Sequence, residues 1–266
     1  MPEQYTHGHH ESVLRSHEKR TVANSAAYLI PSLKPGLRIL DVGSGPGTIT
    51  IDLAERVAPG TVTGLDAAAD VVAKATALAA QREVGNVSFA VGDAYALEAP
   101  AGSYDIVHAH QVLQHLSRPV DALREFRRVL AADGIVAARD VDYAGVIWFP
   151  LLPGLDEWHE VYLQVHRAVS GEPAAGRRLK AWAREAGFAE VASSASLWLF
   201  ESPEAREWWG GAWAERALHS TFAQHAIDLG IADRAGLERI ADGWREWAAS
   251  EDGWFFMPHA EILARG

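Results

Sequence analysis

The residues best placed to do chemistry lie in one stretch. Ile39-Leu40-Asp41-Val42 runs straight into Gly43-Ser44-Gly45-Pro46-Gly47. Glycines at 43, 45 and 47 let backbone N–H groups come close to a ligand, and the helix that follows aims its positive end at the same point. Alone, such a turn is also an ordinary strand-to-helix connection. The carboxylates that follow give it meaning. Asp66 comes 19 residues after Gly47, at the end of Thr61–Asp66, where a carboxylate takes two ribose hydroxyls. Asp93 follows Val87–Gly92, where a carboxylate accepts a hydrogen bond from an adenine amino group and the N–H of Ala94 is offered to the ring. Asp41 lies just ahead of the turn. The spacing departs from a dinucleotide fingerprint, because the third glycine falls one place early, at Gly47, and Thr48 follows it.

These residues need strand ends to hold them, and the pattern supplies them. Arg38–Val42, Thr61–Asp66, Val87–Gly92, Tyr104–His110 and Gly134–Val141 read as strands. Helical stretches fall between them at Thr48 to about Val57, Asp70–Gln81 and Val120–Leu130. Alternation of this kind predicts a Rossmann-like, doubly wound α/β fold with a mostly parallel sheet, whose ligands sit at the C-terminal strand ends. Ahead of it, residues 1–34 read as a polar arm and a helix over Ser16–Leu29. Residues 35–143 form the nucleotide-binding core and 144–190 a lid, opening with an irregular loop over Ala144–Gly154. Residues 191–266 complete one domain with terminal strands and cap helices. Helices are expected at Leu155–Val169, Arg177–Ala186, Ser202 to about Leu229 and Asp233 to about Ala248. Strands are expected at Val191–Phe200 and Trp254–Leu263.

The series ILDVGSGPG, GLD, VGDA and YDIVHAHQVLQHL resembles the class I S-adenosylmethionine (SAM)-dependent methyltransferases, closest in style to the quinone-biosynthesis group. The likeness is specific over residues 36–141. It implies SAM as cofactor, with Asp41, Gly43, Ser44, Gly45 and Gly47 around its methionine part. It also implies Asp66 at the ribose, Ala67, Asp93 and Ala94 at the adenine, and His110 close to the sulfonium. Ser44 stands where cysteine is common, and Ala67-Ala68 where Pro-Ser is. Methyltransferases acting on amide or nucleobase nitrogens carry an Asn-Pro-Pro-Tyr type sequence after the fourth strand. Here that place reads His110-Gln111-Val112-Leu113, which argues against those acceptors.

The acceptor side is read from rings and carboxylates. His110 at the end of the fourth strand, Asp140 or Asp142 at the end of the fifth, and His10 of the amino-terminal arm are candidate bases, and either aspartate could instead bind a cationic acceptor. Alternation puts His108 and His110 on one face. Trp148, Phe149, Trp158 and Tyr162 fall in the expected lid, and rings of this kind grip flat molecules by stacking. The amino-terminal YTHGHHESVLRSH admits three readings: a metal site, a solvated arm, or an arm folded over the pocket, which makes Tyr5, His9 and His10 site candidates. No metal is expected as cofactor.

Composition bounds the rest. The net charge is -11, and an acidic surface repels phosphate backbones, so nucleic acid is a poor acceptor. The absence of cysteine excludes disulfides, thiolate metal sites and cysteine nucleophiles. No apolar run approaches a membrane span, and the cytoplasm is the expected location. The expected partner is a small, planar, aromatic metabolite, indole-like or phenolic and of natural-product type, methylated at C, N or O, with a homodimer left open. A nicotinamide-dependent oxidoreductase and a non-catalytic SAM-binding protein are the alternatives.

Overall fold

The structure is a computed structural model and describes residues 20–266. Tyr5, His7, His9, His10 and His17 lie outside the described residues. The strands are β1 (Arg38–Val42), β2 (Thr61–Asp66), β3 (Val87–Val91), β4 (Tyr104–His110), β5 (Leu130–Val141), β6 (Ile147–Phe149), β7 (Glu190–Phe200) and β8 (Trp254–Arg265). Their order is β3-β2-β1-β4-β5-β8, with β6 and β7 both paired to β8. The first five are mutually parallel, and β6 to β8 join antiparallel. The fold is the expected α/β one. The reason is visible in β1, β4 and β5, which are buried almost from end to end, as strands covered by helices on both faces must be.

Alternation of side chains sorts each strand into two faces. On the first, Ile39, Ile106 and Ala137 pack under Val22 and Leu29 and against Leu53 and Val57. On the second, Leu40, Val107, Ala138 and Ile262 meet Leu123, Phe126 and Leu179. A third core lies over the carboxyl-terminal end of the sheet. There, Trp158 of helix 153–168, Trp213 of 203–219 and Trp244 of 234–249 pack with Phe222 and with Phe255 of β8.

Three elements differ from the sequence reading. The helix expected over Ser16–Leu29 is, in its described part, one turn, Val22–Ser25, and a 3-10 segment, Ala27–Ser32. Thr21 and Asn24 close a capping box on the turn, and Ala26 leaves helical geometry at φ -141. The long helix expected from Ser202 to Leu229 is two, Pro203–His219 and Thr221–Asp228. The hydroxyl of Ser220 donates to the Arg216 carbonyl at 2.7 Å and accepts from Phe222 N–H at 3.2 Å, so it ends one helix and caps the next. The expected irregular loop after β5 carries strand β6, which pairs with Trp254–Phe256. Among the described residues no helix is long and apolar enough to cross a membrane.

Candidate active site

The glycine turn is built as its spacing requires. Gly43, Gly45 and Gly47 have φ of 71, 54 and 84, left-handed values that side chains resist. A Cβ on Gly43 would stand 2.4 Å from Val112 Cγ2, and one on Gly47 would stand 2.7 Å from the Phe89 ring. The N–H groups of Gly43 and Ser44 both donate to the Leu65 carbonyl, at 2.7 and 2.9 Å, which ties the turn to β2. Asp66 finishes the job with its carboxylate. One oxygen accepts from Gly45 N–H at 3.0 Å and the other from Ala68 N–H at 3.1 Å. Its orientation is therefore fixed by backbone, while lone pairs remain on a half-buried group. The exposed Asp93 accepts from Tyr95 N–H at 2.8 Å, and Ala94 is half-buried beside it. Ala67 is exposed. The Ser44 hydroxyl is buried and has no partner among the described residues. Three left-handed glycines, an orphaned hydroxyl and an amide-braced carboxylate make a donor and acceptor set suited to an adenosyl amino acid.

Next to the turn the first face of the sheet changes from apolar to polar. Asp41 follows Ile39 on it, and its two oxygens accept from Thr50 Oγ1 at 2.6 Å and His108 Nδ1 at 2.7 Å. Asp41 thus faces protein on both sides. His108 presents Nε2 with no partner among the described residues. His110 is buried, and neither ring nitrogen has a partner among the described residues. Burial, aided by Arg20 and Arg139, holds its pKa well below the usual imidazole range, so it is neutral at pH 7.

A hydrogen-bonded relay crosses the mouth of this face. Arg20 Nη2 donates to Gln111 Oε1 at 2.9 Å, which turns the amide so that Nε2 donates to His259 Nε2 at 2.8 Å. His259 Nδ1 then donates to the Met257 carbonyl at 3.1 Å. Its tautomer is set by that chain, and burial keeps it neutral. Trp198 of β7 stands over the row, with its ring 5.9 Å from that of His110, 4.5 Å from that of His259 and 5.0 Å from the Arg139 guanidinium. The Trp198 indole donates to the Asn24 carbonyl at 2.9 Å, which seats residues 20–32 on top.

The remaining candidates fall elsewhere. Asp142 is in a two-contact ion pair with Arg177, one contact being Nη2–Oδ1 at 2.9 Å. Paired this way, both of its oxygens face Arg177, and it ties the end of β5 to helix 175–185. Trp158 and Tyr162 are wholly buried in the aromatic core, between Trp213, Trp244 and Phe222, so they are packing side chains. Trp148 is half-buried and stacks on Phe255 at 6.4 Å. Phe149 turns outward and is 54% exposed. Tyr28, Gln111, Arg139, Trp198, His259 and Glu261 surround the row, and none was singled out for it from sequence. Alternation along β8 puts His259 and Glu261 on the face of Phe255 and Met257, and that period-2 pattern was the available signal. Among the described residues no group of three or more potential ligands forms a metal site.

Fold and site together define a class I SAM-dependent methyltransferase. The comparisons with known proteins agree. Residues 33–187 match the family model described as "Methyltransferase domain". An uncharacterised methyltransferase of Schizosaccharomyces pombe is 33% identical, covering 97% of this chain and 95% of its own. A chain of Aspergillus luteorubrus named "Probable methyltransferase ltbC" is 29% identical, covering 98% and 96%. The solved structure of YcgJ from Bacillus subtilis superposes with a TM-score of 0.59 at 20% identity, covering 90% of this chain and 97% of that one. The chain belongs to the methyltransferase family and is an enzyme of the SAM-dependent kind.

Proposed function

We propose that the chain transfers a methyl group from SAM to a small, flat acceptor held against Trp198 and His110, at the C-terminal ends of β4 and β5. In this reading the side-chain-free backbone of the 43–47 turn lets the amino-acid part of SAM approach closely, and the unpartnered Ser44 hydroxyl bonds to it. Asp66 takes the ribose hydroxyls, and Asp93 with the Ala94 N–H takes the adenine. SAM supplies an activated methyl group together with its leaving group. The protein's own task is then to position the acceptor and keep water out. Residues 20–32, clamped by the Trp198–Asn24 bond, exclude water from above. His110 is neutral and neither nitrogen has a partner among the described residues, so it can accept a hydrogen bond from an acceptor N–H or O–H and orient it. Its low basicity suits orientation better than full proton removal.

The observation that carries this reading is the pair of nitrogens, unpartnered among the described residues, on a buried histidine beside a half-buried tryptophan. Buried polar atoms are nearly always satisfied, so an orphaned pair at the C-terminal end of a parallel strand points to a ligand. A flat acceptor is favoured because the wall is made of rings. The test is transfer of labelled methyl from SAM into a library of small aromatic metabolites, followed by mass spectrometry of the products, for the wild type and Trp198→Ala. Methylated product with the wild type, and a loss of about tenfold or more in the variant at unchanged S-adenosylhomocysteine (SAH) affinity, supports the placement. Equal turnover by the variant removes Trp198 from the acceptor site.

A further inference from the structure

We propose that the acceptor carries a carboxylate, a planar two-oxygen anion, which the guanidinium of Arg139 grips. This rests on the acceptor site proposed above and names the chemistry it selects. Arg139 is 1% exposed. Only its Nε is engaged, donating to Ser196 Oγ at 3.0 Å and lying 3.4 Å from Glu261 Oε1. Nη1 and Nη2 are both buried and have no partner among the described residues.

Glu261 does not account for that pair. Ser194 Oγ donates to one of its oxygens at 2.6 Å and Ser196 Oγ to the other, so the carboxylate is satisfied by two serines and the Nε side of Arg139. If Arg139 served only to bridge β5, β7 and β8, Nε alone would do it, and a shorter side chain would leave nothing orphaned. Burial lowers the pKa of Arg139 to about 10, so the group is still a cation at neutral pH. A buried cation with two idle donors is costly to keep.

Geometry selects the ligand. The guanidinium lies over the Trp198 ring, so its face is covered and its N–H edge is what is left to offer. Two parallel N–H donors in a fixed fork match the two oxygens of a carboxylate. The ring wall of Trp198 and His110 then takes the flat body of the molecule. The buried Tyr28 hydroxyl, without a partner among the described residues and within reach of the charges of Glu261 and Arg139, adds another polar point.

The test is calorimetric titration of the SAH-saturated protein with acetate, benzoate and cinnamate, each set against its primary amide. SAH is titrated first, and its failure to bind the wild-type chain would overturn the underlying reading of the site. With SAH bound, at least one acid is expected to bind about tenfold or more tighter than its amide. Arg139→Gln should bring that ratio to within about twofold of unity while SAH affinity stays within about twofold. Arg139→Lys, which keeps the charge without the fork, should fall between and also serves if the glutamine variant does not fold. Equal binding of acids and amides, no binding of either, a preference that survives both substitutions, or lost SAH affinity in a folded Arg139 variant would each overturn the proposal.

Discussion

Replacing Asp66 by alanine should weaken the protein in two separable ways. Its carboxylate holds the Gly45 and Ala68 amides at 3.0 and 3.1 Å, fixing the left-handed turn against β2. Both amides are only half-buried, so water can replace part of what is lost. A stability loss of about 1–2 kcal/mol is expected, which at this chain length lowers the melting temperature by about 2–8 °C. Cofactor binding should suffer more. Charge-assisted bonds to ribose hydroxyls contribute roughly 1.5–3 kcal/mol, equivalent to about a 12- to 150-fold loss of affinity. Asp66→Asn retains one acceptor oxygen but turns an N–H toward the other amide, so it should fall between wild type and alanine on both scales. Calorimetry with SAH and thermal denaturation on the same preparations read the two effects. A folded Asp66→Ala protein that binds SAH within about twofold of wild type would refute the ribose assignment. The carboxylate would then be a brace for the turn and nothing more.

Three other outcomes are expected. Gly43→Ala places a Cβ 2.4 Å from Val112 Cγ2 at φ 71, so melting temperature and SAH affinity should both fall, the left-handed backbone alone costing about 1–2 kcal/mol; full SAH affinity in a calorimetric titration would argue against close approach at the turn. Asp140 has its pKa raised by burial from 3.8 to about 8, so the folded state keeps a proton that the unfolded state releases between those values, and stability drains away as pH rises through that window. Asp140→Asn, neutral in both states, should flatten the fall in melting temperature between pH 5 and pH 8, and an unchanged slope in a pH series of thermal scans would contradict the shift. Trp158→Ala empties a wholly buried site and should cost about 3–5 kcal/mol, with SAH affinity and acceptor preference unaltered; a large change in preference at undiminished stability would return Trp158 to the pocket.

What was readable in the sequence follows the range of the contacts. The strands and the glycine turn are local features: apolar runs, left-handed glycines and a carboxylate at the next strand end lie within one strand-helix-strand unit. Spacing along the chain is then close to spacing in space, and Gly45 meets Asp66 across 21 positions. The proposed acceptor side is assembled from afar. Gln111 reaches His259 across 148 positions and Trp198 reaches Asn24 across 174, so no window of sequence contains the site. Rings are equally ambiguous by type. Trp158 and Trp198 are the same residue, and only the topology sends one into the helical core and the other over His110. The strand at Ile147–Phe149 is hidden for a similar reason, since its partner, Trp254–Phe256, lies more than a hundred positions away, whereas the break at Ser220 rests on local bonds to Arg216 and Phe222 that a serine cap inside an apolar pattern can signal.

The two tryptophan environments nonetheless belong to one design. The polar row is expensive: Arg139 and His110 carry buried atoms without partners among the described residues. Such groups hold their places only if the strands bearing them cannot shift. Strand β8 is the critical one, because it contributes His259 and Glu261 and is paired along its length with β5, β6 and β7. Its start is gripped by the third core, where Phe255 meets Trp158, Trp209, Trp244 and Trp247 at 5.3–6.4 Å. Aromatic pairs of this kind add about 0.5–1.5 kcal/mol each beyond burial. The rings of the cap thus serve the proposed acceptor site from a distance, by holding β8 in register beside Arg139 and His110.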